Sequence, residues 1–230
     1  MFAAGNSAGA TAANYIEDVF STYLYTGNSS TQTITNNIDL SGKGGLFWAK
    51  CRSSSSTFNW LVDTVRGADN ILRSNTTDAQ VDNGAGSSFL STGYSIGSTS
   101  NSNYNGSGNT YASWTFRKQP KFFDVVTYTG DGVAGRTVSH NLGSTPGCIF
   151  VKATSTTGEW SVYHTGVGNT AGIFLNRTVG STASAQFWNN TSPTSTNFTV
   201  GNVFTNSSGD RKSTRLNSSH TDISRMPSSA

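Results

Sequence analysis

In the second half of the chain apolar residues come in short bursts: Phe123 to Thr129, Thr137 to Asn141, Cys148 to Ala153, Trp160 to His164, Gly172 to Asn176, Ala185 to Trp188 and Asn197 to Val200. Each burst is rich in β-branched or aromatic residues and bounded by Gly, Ser, Asn or Pro, which predicts seven strands. A period of two places Val162 and His164 on one face of their strand and Ser161 and Tyr163 on the other. In the run Thr110 to Phe116, Tyr111 and Ser113 alternate in the same way with Ala112 and Trp114.

The pattern repeats. Tyr25-Thr-Gly-Asn returns as Tyr128-Thr-Gly-Asp, Thr33-Ile-Thr-Asn-Asn-Ile as Thr137-Val-Ser-His-Asn-Leu, and Gly45-Leu-Phe-Trp-Ala-Lys as Gly147-Cys-Ile-Phe-Val-Lys. Ser91-Thr-Gly-Tyr-Ser-Ile-Gly matches Ser195-Thr-Asn-Phe-Thr-Val-Gly, and Asn105-Gly-Ser-Gly-Asn matches Asn206-Ser-Ser-Gly-Asp. Units of roughly one hundred residues are each the size of a domain. The expected fold is all-β: two tandem antiparallel β-sandwich, jelly-roll-like repeats over 15–119 and 120–209, preceded by a low-complexity lead-in over 1–14. The second repeat is expected to lack its last strand, the counterpart of Thr110 to Phe116.

Composition supports strands over helices. The chain holds 35 Ser, 32 Thr and 22 Asn among 230 residues, with nine Leu and two Glu. Such a mixture disfavours helix. No stretch of eighteen apolar residues is present, so no helical membrane span is expected, and the N-terminus has neither a basic nor an apolar signal region. Residues 210–230 back-translate into two consecutive blocks of a common sequencing adapter, which predicts a loosely attached segment bordering an incompletely covered sheet. That segment carries four of the 15 basic and two of the 12 acidic residues, so without it the net charge falls from +3 to +1. No cationic stripe remains to suggest nucleic acid.

Motif matches are weak. Gly130-Asp-Gly-Val-Ala-Gly135 fits the dinucleotide fingerprint, but strand-like residues follow it where a helix is required, and a hairpin turn is expected. Gly5-Asn-Ser-Ala-Gly9 and Gly93-Tyr-Ser-Ile-Gly97 fit the nucleophile elbow, yet composition alone predicts about 0.4 such matches and neither is followed by a helix. His140 aligns with Asn36 and His164 with Asp63, and no His or Cys pair has metal-ligand spacing. Cys51 and Cys148 fall at non-equivalent positions of the repeat and read as small buried residues. Asp63, Asp124, Asp131 and Glu159 show no acid/base spacing. No catalytic residue, metal or cofactor is therefore expected. Trp48, Trp114 and Trp188 lie within strands and read as core. Trp60 and Trp160, near loop edges, either pack in the core or offer a flat face for a sugar ring, with Asp63, Tyr163 and His164 to hydrogen-bond its hydroxyls.

The runs Tyr15-Ile-Glu-Asp-Val-Phe-Ser-Thr-Tyr-Leu-Tyr-Thr-Gly, Gly44-Gly-Leu-Phe-Trp-Ala-Lys, Asp63-Thr-Val-Arg-Gly, the stretch from Tyr111 to Gly130, and Ser139-His-Asn-Leu-Gly-Ser-Thr-Pro-Gly occur in order. Together they resemble a repeated domain of unknown function from virion structural proteins of tailed marine phages. The resemblance implies a non-enzymatic tail or tail-fibre module, a spacer or host-surface adhesin, located in the virion and assembled in the host cytoplasm. Its implied partners are other tail proteins and host surface glycans, without nucleic acid or membrane insertion. Fibre proteins of this kind are commonly oligomeric, although no heptads occur here. The alternative is a carbohydrate-binding module attached to a polysaccharide- or cell-wall-degrading enzyme.

Overall fold

Short β-branched runs broken by Gly and Asn turns can pair only with neighbours running back along them. The computed structural model, which describes residues 15–82, 86–97, 103–209 and 211–218, accordingly contains antiparallel sheets. With strands numbered in chain order, one six-stranded sheet runs β1 (Phe20–Thr26), β9 (Thr110–Arg117), β3 (Gly45–Cys51), β4 (Trp60–Asp63), β5 (Asn70–Arg73), β6 (Val81–Asp82). The other runs β10 (Phe123–Thr129), β17 (Arg211–Ser218), β12 (Pro146–Ala153), β13 (Ser161–His164), β14 (Ala171–Phe174), β15 (Thr182–Ala183). A small sheet accompanies each: β2 (Gln32–Thr35), β8 (Gly93–Ile96) and β7 (Ser88–Leu90) with the first, β11 (Arg136–Ser139) and β16 (Asn197–Val200) with the second. Strand order and register correspond between the halves. Trp48 faces Trp114 across β3 and β9 where Phe150 faces Arg215 across β12 and β17.

Three apolar cores explain the layering. Tyr25, Phe47, Trp60, Val62, Ile71, Tyr94 and Tyr111 fill the space between the first large sheet and its small one. Ile149, Val151, Tyr163, Phe174, Phe198 and Leu216 do the same in the second half. The alternate residues of the same strands, Leu46, Leu61 and Leu72 on one side and Phe123, Val125 and Trp160 on the other, make a third core between the two large sheets, with Trp48, Phe116 and Phe150 packed against it. Both faces of the central strands are thus covered, which is why all four residues of β4 are buried rather than every second one.

Two expectations are corrected. Ala185–Trp188 is a single helical turn, α2, not a strand: the Ser184 hydroxyl accepts from the Gln186 amide at its start and Asn189 adopts the left-handed conformation at its end. Asp39 caps the similar turn α1, Leu40–Lys43, in the first half. Residues 211–218 are not loosely attached. They form β17, paired along its length with both β10 and β12, with Lys212 to Leu216 buried. The cause is the slot itself, because two flanking strands present unpaired amides and carbonyls that any extended backbone can satisfy. Asp210 and residues 219–230 lie outside the described residues, as does the lead-in over 1–14.

The halves are also joined by polar contacts. The Trp160 indole donates to the Arg73 carbonyl at 2.8 Å, and backbone bonds run from Gln80 to Thr154 and from Gly158 to Thr77. Replacing Trp160 with Ala removes this ring from the central core and orphans the Arg73 carbonyl. We expect Trp160→Ala to cost about 3–5 kcal/mol in urea denaturation, and to weaken both halves in one shared transition when circular dichroism and tryptophan fluorescence are compared.

Candidate functional site

The five residues nominated for sugar contact do not converge on an accessible surface. In strand register Trp60 corresponds to Ser161, not to Trp160: Ala49 pairs with Trp60 where Val151 pairs with Ser161. That one-residue slip sends the two rings to opposite faces of their sheets. Trp60 stacks on Tyr104 at 3.9 Å in the first core, whereas Trp160 is fully buried between the large sheets. Neither ring offers a face to a sugar. Tyr163 packs edge-on to Trp188, and only His164 is exposed, its Nδ1 accepting from the Gly166 amide.

Asp63 is fully buried at the seam and serves a charge cluster. Its Oδ2 receives Arg66 Nε at 2.7 Å and Arg215 Nη2 at 2.6 Å, and its Oδ1 accepts the amides of Val65 and Arg66. Desolvation is the largest influence and would raise its pKa, but the two guanidinium groups outweigh it and hold the carboxyl below its usual range. Arg66 is further saturated by the carbonyls of Leu61 and Asn70 and by Gln80. Arg215 is the second cation on a single carboxylate, and burial pushes its pKa down to about 9 despite Asp63. The other three carboxylates weighed for acid/base spacing each have a partner: Asp124 with Lys118, Asp131 with Arg136 and Asn206, Glu159 with Arg177 and Asn176. Among the described residues no group of three His, Cys, Asp or Glu side chains could hold a metal.

The motif matches also resolve. The segment from Gly130 to Gly135 links β10 to β11, strands of different sheets, so it is a crossing loop rather than a hairpin turn. A Cβ on Gly130 would lie 2.0 Å from the Ser207 carbonyl, which accounts for glycine there. Ser95 sits within β8 between Thr33 and Ser88. The match at Gly5 to Gly9 lies outside the described residues. Cys51 and Cys148 are both free, and burial pushes the Cys148 thiol up to about 11.

What sequence comparison did not single out is a set of polar locks recurring at matched places. Asn105 and Asn206, both fully buried, each accept from the backbone of the loop after the first strand of their half and donate back to it. The Tyr25 and Tyr128 hydroxyls donate to the carbonyls of Tyr104 and Thr205. Asn75 accepts from the Asn59 amide as Asn176 does from the Trp160 amide. His140 stands where the other half has Asn36, and its Nδ1 accepts from the Leu142 amide as the Asn36 Oδ1 does from Ile38.

One ring does border an open groove. Trp48, assigned to the core by its strand position, is half-buried and lines a recess of about 300 Å³ with Asn59, Asn75, Leu175, Asn176 and Arg177. A partly open aromatic surrounded by amides and a guanidinium is suited to a polyhydroxylated ligand.

A family model described as Domain of unknown function (DUF7483) matches residues 16–216, a span that includes both large sheets. No curated protein and no solved structure matches the chain.

Two titrations follow from this geometry. Burial, the largest influence, holds the His140 pKa below 6.5, against the opposing pull of the Thr194 carbonyl and Asp124. Protonating Nδ1 would also break its bond from Leu142. The unfolded chain therefore takes up this proton first, so the contribution to stability is intact above about pH 6.5 and is lost as pH falls below it. His140→Asn should flatten stability against pH between about 7 and 5 in chemical denaturation. Asp63, with its lowered pKa, contributes stability that persists to lower pH and is lost only in acid. Asp63→Ala should cost about 3–5 kcal/mol at neutral pH by leaving two buried arginines unpaired.

Proposed function

We propose, for a chain that belongs to the DUF7483 family of domains of unknown function, the role of a non-enzymatic virion structural module of the tail or tail-fibre type, a stiff spacer or host-surface adhesin. The observation that carries this reading is the seam. Two sandwiches that share an apolar core, hydrogen-bond across it and are connected only by Lys118 to Phe122 behave as one rigid block. The halves are read as two copies of a duplicated unit, since their strand orders, registers and polar locks correspond. Rigidity of this kind suits a part that transmits force or sets a distance, and stacking such blocks multiplies weak contacts into avidity. Other tail proteins are the partners this role calls for, with assembly in the host cytoplasm.

A second reading, a carbohydrate-binding module attached to a degrading enzyme, is favoured by the Trp48 groove. Two measurements separate them. Antibody raised against the purified protein should label the tails of phage particles whose genome encodes this chain by immunogold microscopy, and tails left unlabelled would remove the virion assignment. On a glycan array a pure spacer expects no retention, a bound glycan whose affinity falls about tenfold in Trp48→Ala would place a glycan site in that groove, and such binding by a protein that does not label tails would support the second reading.

A further inference from the structure

The two large sheets end in corresponding edge strands, β1 and β10, and only the second of these edges is covered. Along β10 the outward backbone groups find partners within the chain. Phe123 exchanges both of its groups with Gln119 at 3.0 Å, the Val125 amide donates to Asp124 Oδ1 at 2.9 Å, and the Val125 carbonyl accepts from Lys118 Nζ at 3.4 Å. Arg136 donates to the Thr129 carbonyl. Charged side chains laid over an edge guard it against pairing with another strand.

β1 has no such guard. Just beyond its ends the Val19 carbonyl accepts from the Arg117 amide and the Gly27 amide donates to the Asn109 carbonyl, so the odd-numbered residues between them pair with β9. The N–H and C=O groups of Phe20, Thr22, Leu24 and Thr26 therefore point away from β9. None of them has a hydrogen-bond partner among the described residues. Ser21 and Gln32 stand where the second half has Asp124 and Arg136, so the charges that guard β10 are missing here. Nor is the strand interrupted, since its seven residues hold no charge, no proline and no bulge.

The surface beside this open ladder is apolar. Tyr15, Ile16, Tyr23 and Leu24 make up half of the exposed large apolar side chains among the described residues, and Leu24 is 61% exposed; the other half are single valines, Val65, Val133, Val179 and Val203. Apolar side chains scattered singly mean little, whereas a group of them along an unpaired edge marks a contact site.

We infer that β1 docks on β1 of a second copy of this chain, the two strands running antiparallel about a two-fold axis at Tyr23. A second copy fits because the outward residues complement themselves. In that register Phe20 faces Thr26 of the second copy and Thr22 faces its Leu24, so all four outward residues of each strand use both backbone groups in the new ladder. The pairing buries no charge, whereas docking on β10 would have to displace Lys118 and Arg136 from the carbonyls they hold. Leu24 is covered, and the two Tyr23 rings meet as a cross-strand aromatic pair. A contact of this size lies at the small end of specific interfaces, so the association is weak.

Sedimentation velocity of the full chain between about 5 and 500 µM should show a sedimentation coefficient that rises with concentration. Leu24→Lys should weaken the association about tenfold or more, and Thr127→Lys, the same change at the matched place on β10, should leave it as it was. In Tyr23→Cys the two thiols meet across the axis with Cα atoms about 4.5 Å apart, within disulfide reach, so mild oxidation should give a covalent dimer. Thr26→Cys, which faces Phe20 of the second copy rather than itself, should give none. A chain that sediments as a monomer throughout overturns the inference, whether residues 1–14 cover the edge or a different protein occupies it. Association that persists undiminished in Leu24→Lys overturns it too, as does cross-linking at residue 26 without cross-linking at residue 23.

Discussion

A sheet that buries both faces needs apolar side chains at odd and even positions alike, and in this chain that demand falls on β3, β4, β10 and β12. Leu46, Trp48 and Leu61 face the seam while Phe47, Trp60 and Val62 face the first half's own small sheet. Every other feature is arranged around that double burial. The turns are polar because the strands cannot be, and the small sheets are short because each covers only one face of a large one. Five residues, Lys118 to Phe122, link the halves, so β10 starts where β9 ends and the two large sheets can meet face to face.

Much of this was legible in the sequence because its two halves can be aligned with each other. Matching Gly45-Leu-Phe-Trp-Ala-Lys to Gly147-Cys-Ile-Phe-Val-Lys and His164 to Asp63 agrees with the observed registers. Trp60 against Trp160 failed by one residue, since two aromatics near a strand start look equivalent in text while a period of two places them on opposite faces. Ala185 to Trp188 has the composition of a strand, and only the Ser184 cap and the following Asn189 and Asn190, both with positive φ, mark it as a helical turn. The seam left no signal of its own. Runs such as Gly45-Leu-Phe-Trp-Ala read equally well as strands of a single sandwich, and nothing in them says that the second face meets another sheet.

Buried polar groups divide into two kinds. Asn105 and Asn206 use both ends of the amide on backbone partners, so their desolvation is compensated and the loops they hold cannot shift without leaving donors orphaned. Only the position of these locks was legible: Asn105-Gly and Asn206-Ser stand at matched places, but nothing in the text says that the two amides are buried against a loop. Arg215 is of the other kind. It gains one carboxylate oxygen that Arg66 already holds, and leaves two of its nitrogens without partners.

That contrast separates what a backbone ladder specifies from what side chains specify. Eight residues of almost any composition can extend between two strands, because the hydrogen bonds of the ladder belong to the main chain. The Arg211–Ser218 ladder follows the register of Thr110–Arg117 up to Asn217, where a bulge between Pro146 and Cys148 interrupts it. Yet Trp114 packs its ring against Trp48, whereas Arg215, opposite Phe150, lines a half-open apolar pocket at the seam. Pairing alone therefore decides that a strand is present, and the packing of alternate rings decides which strand belongs there. In a fold whose large sheets are buried on both faces, that second criterion applies on each side of the strand at once.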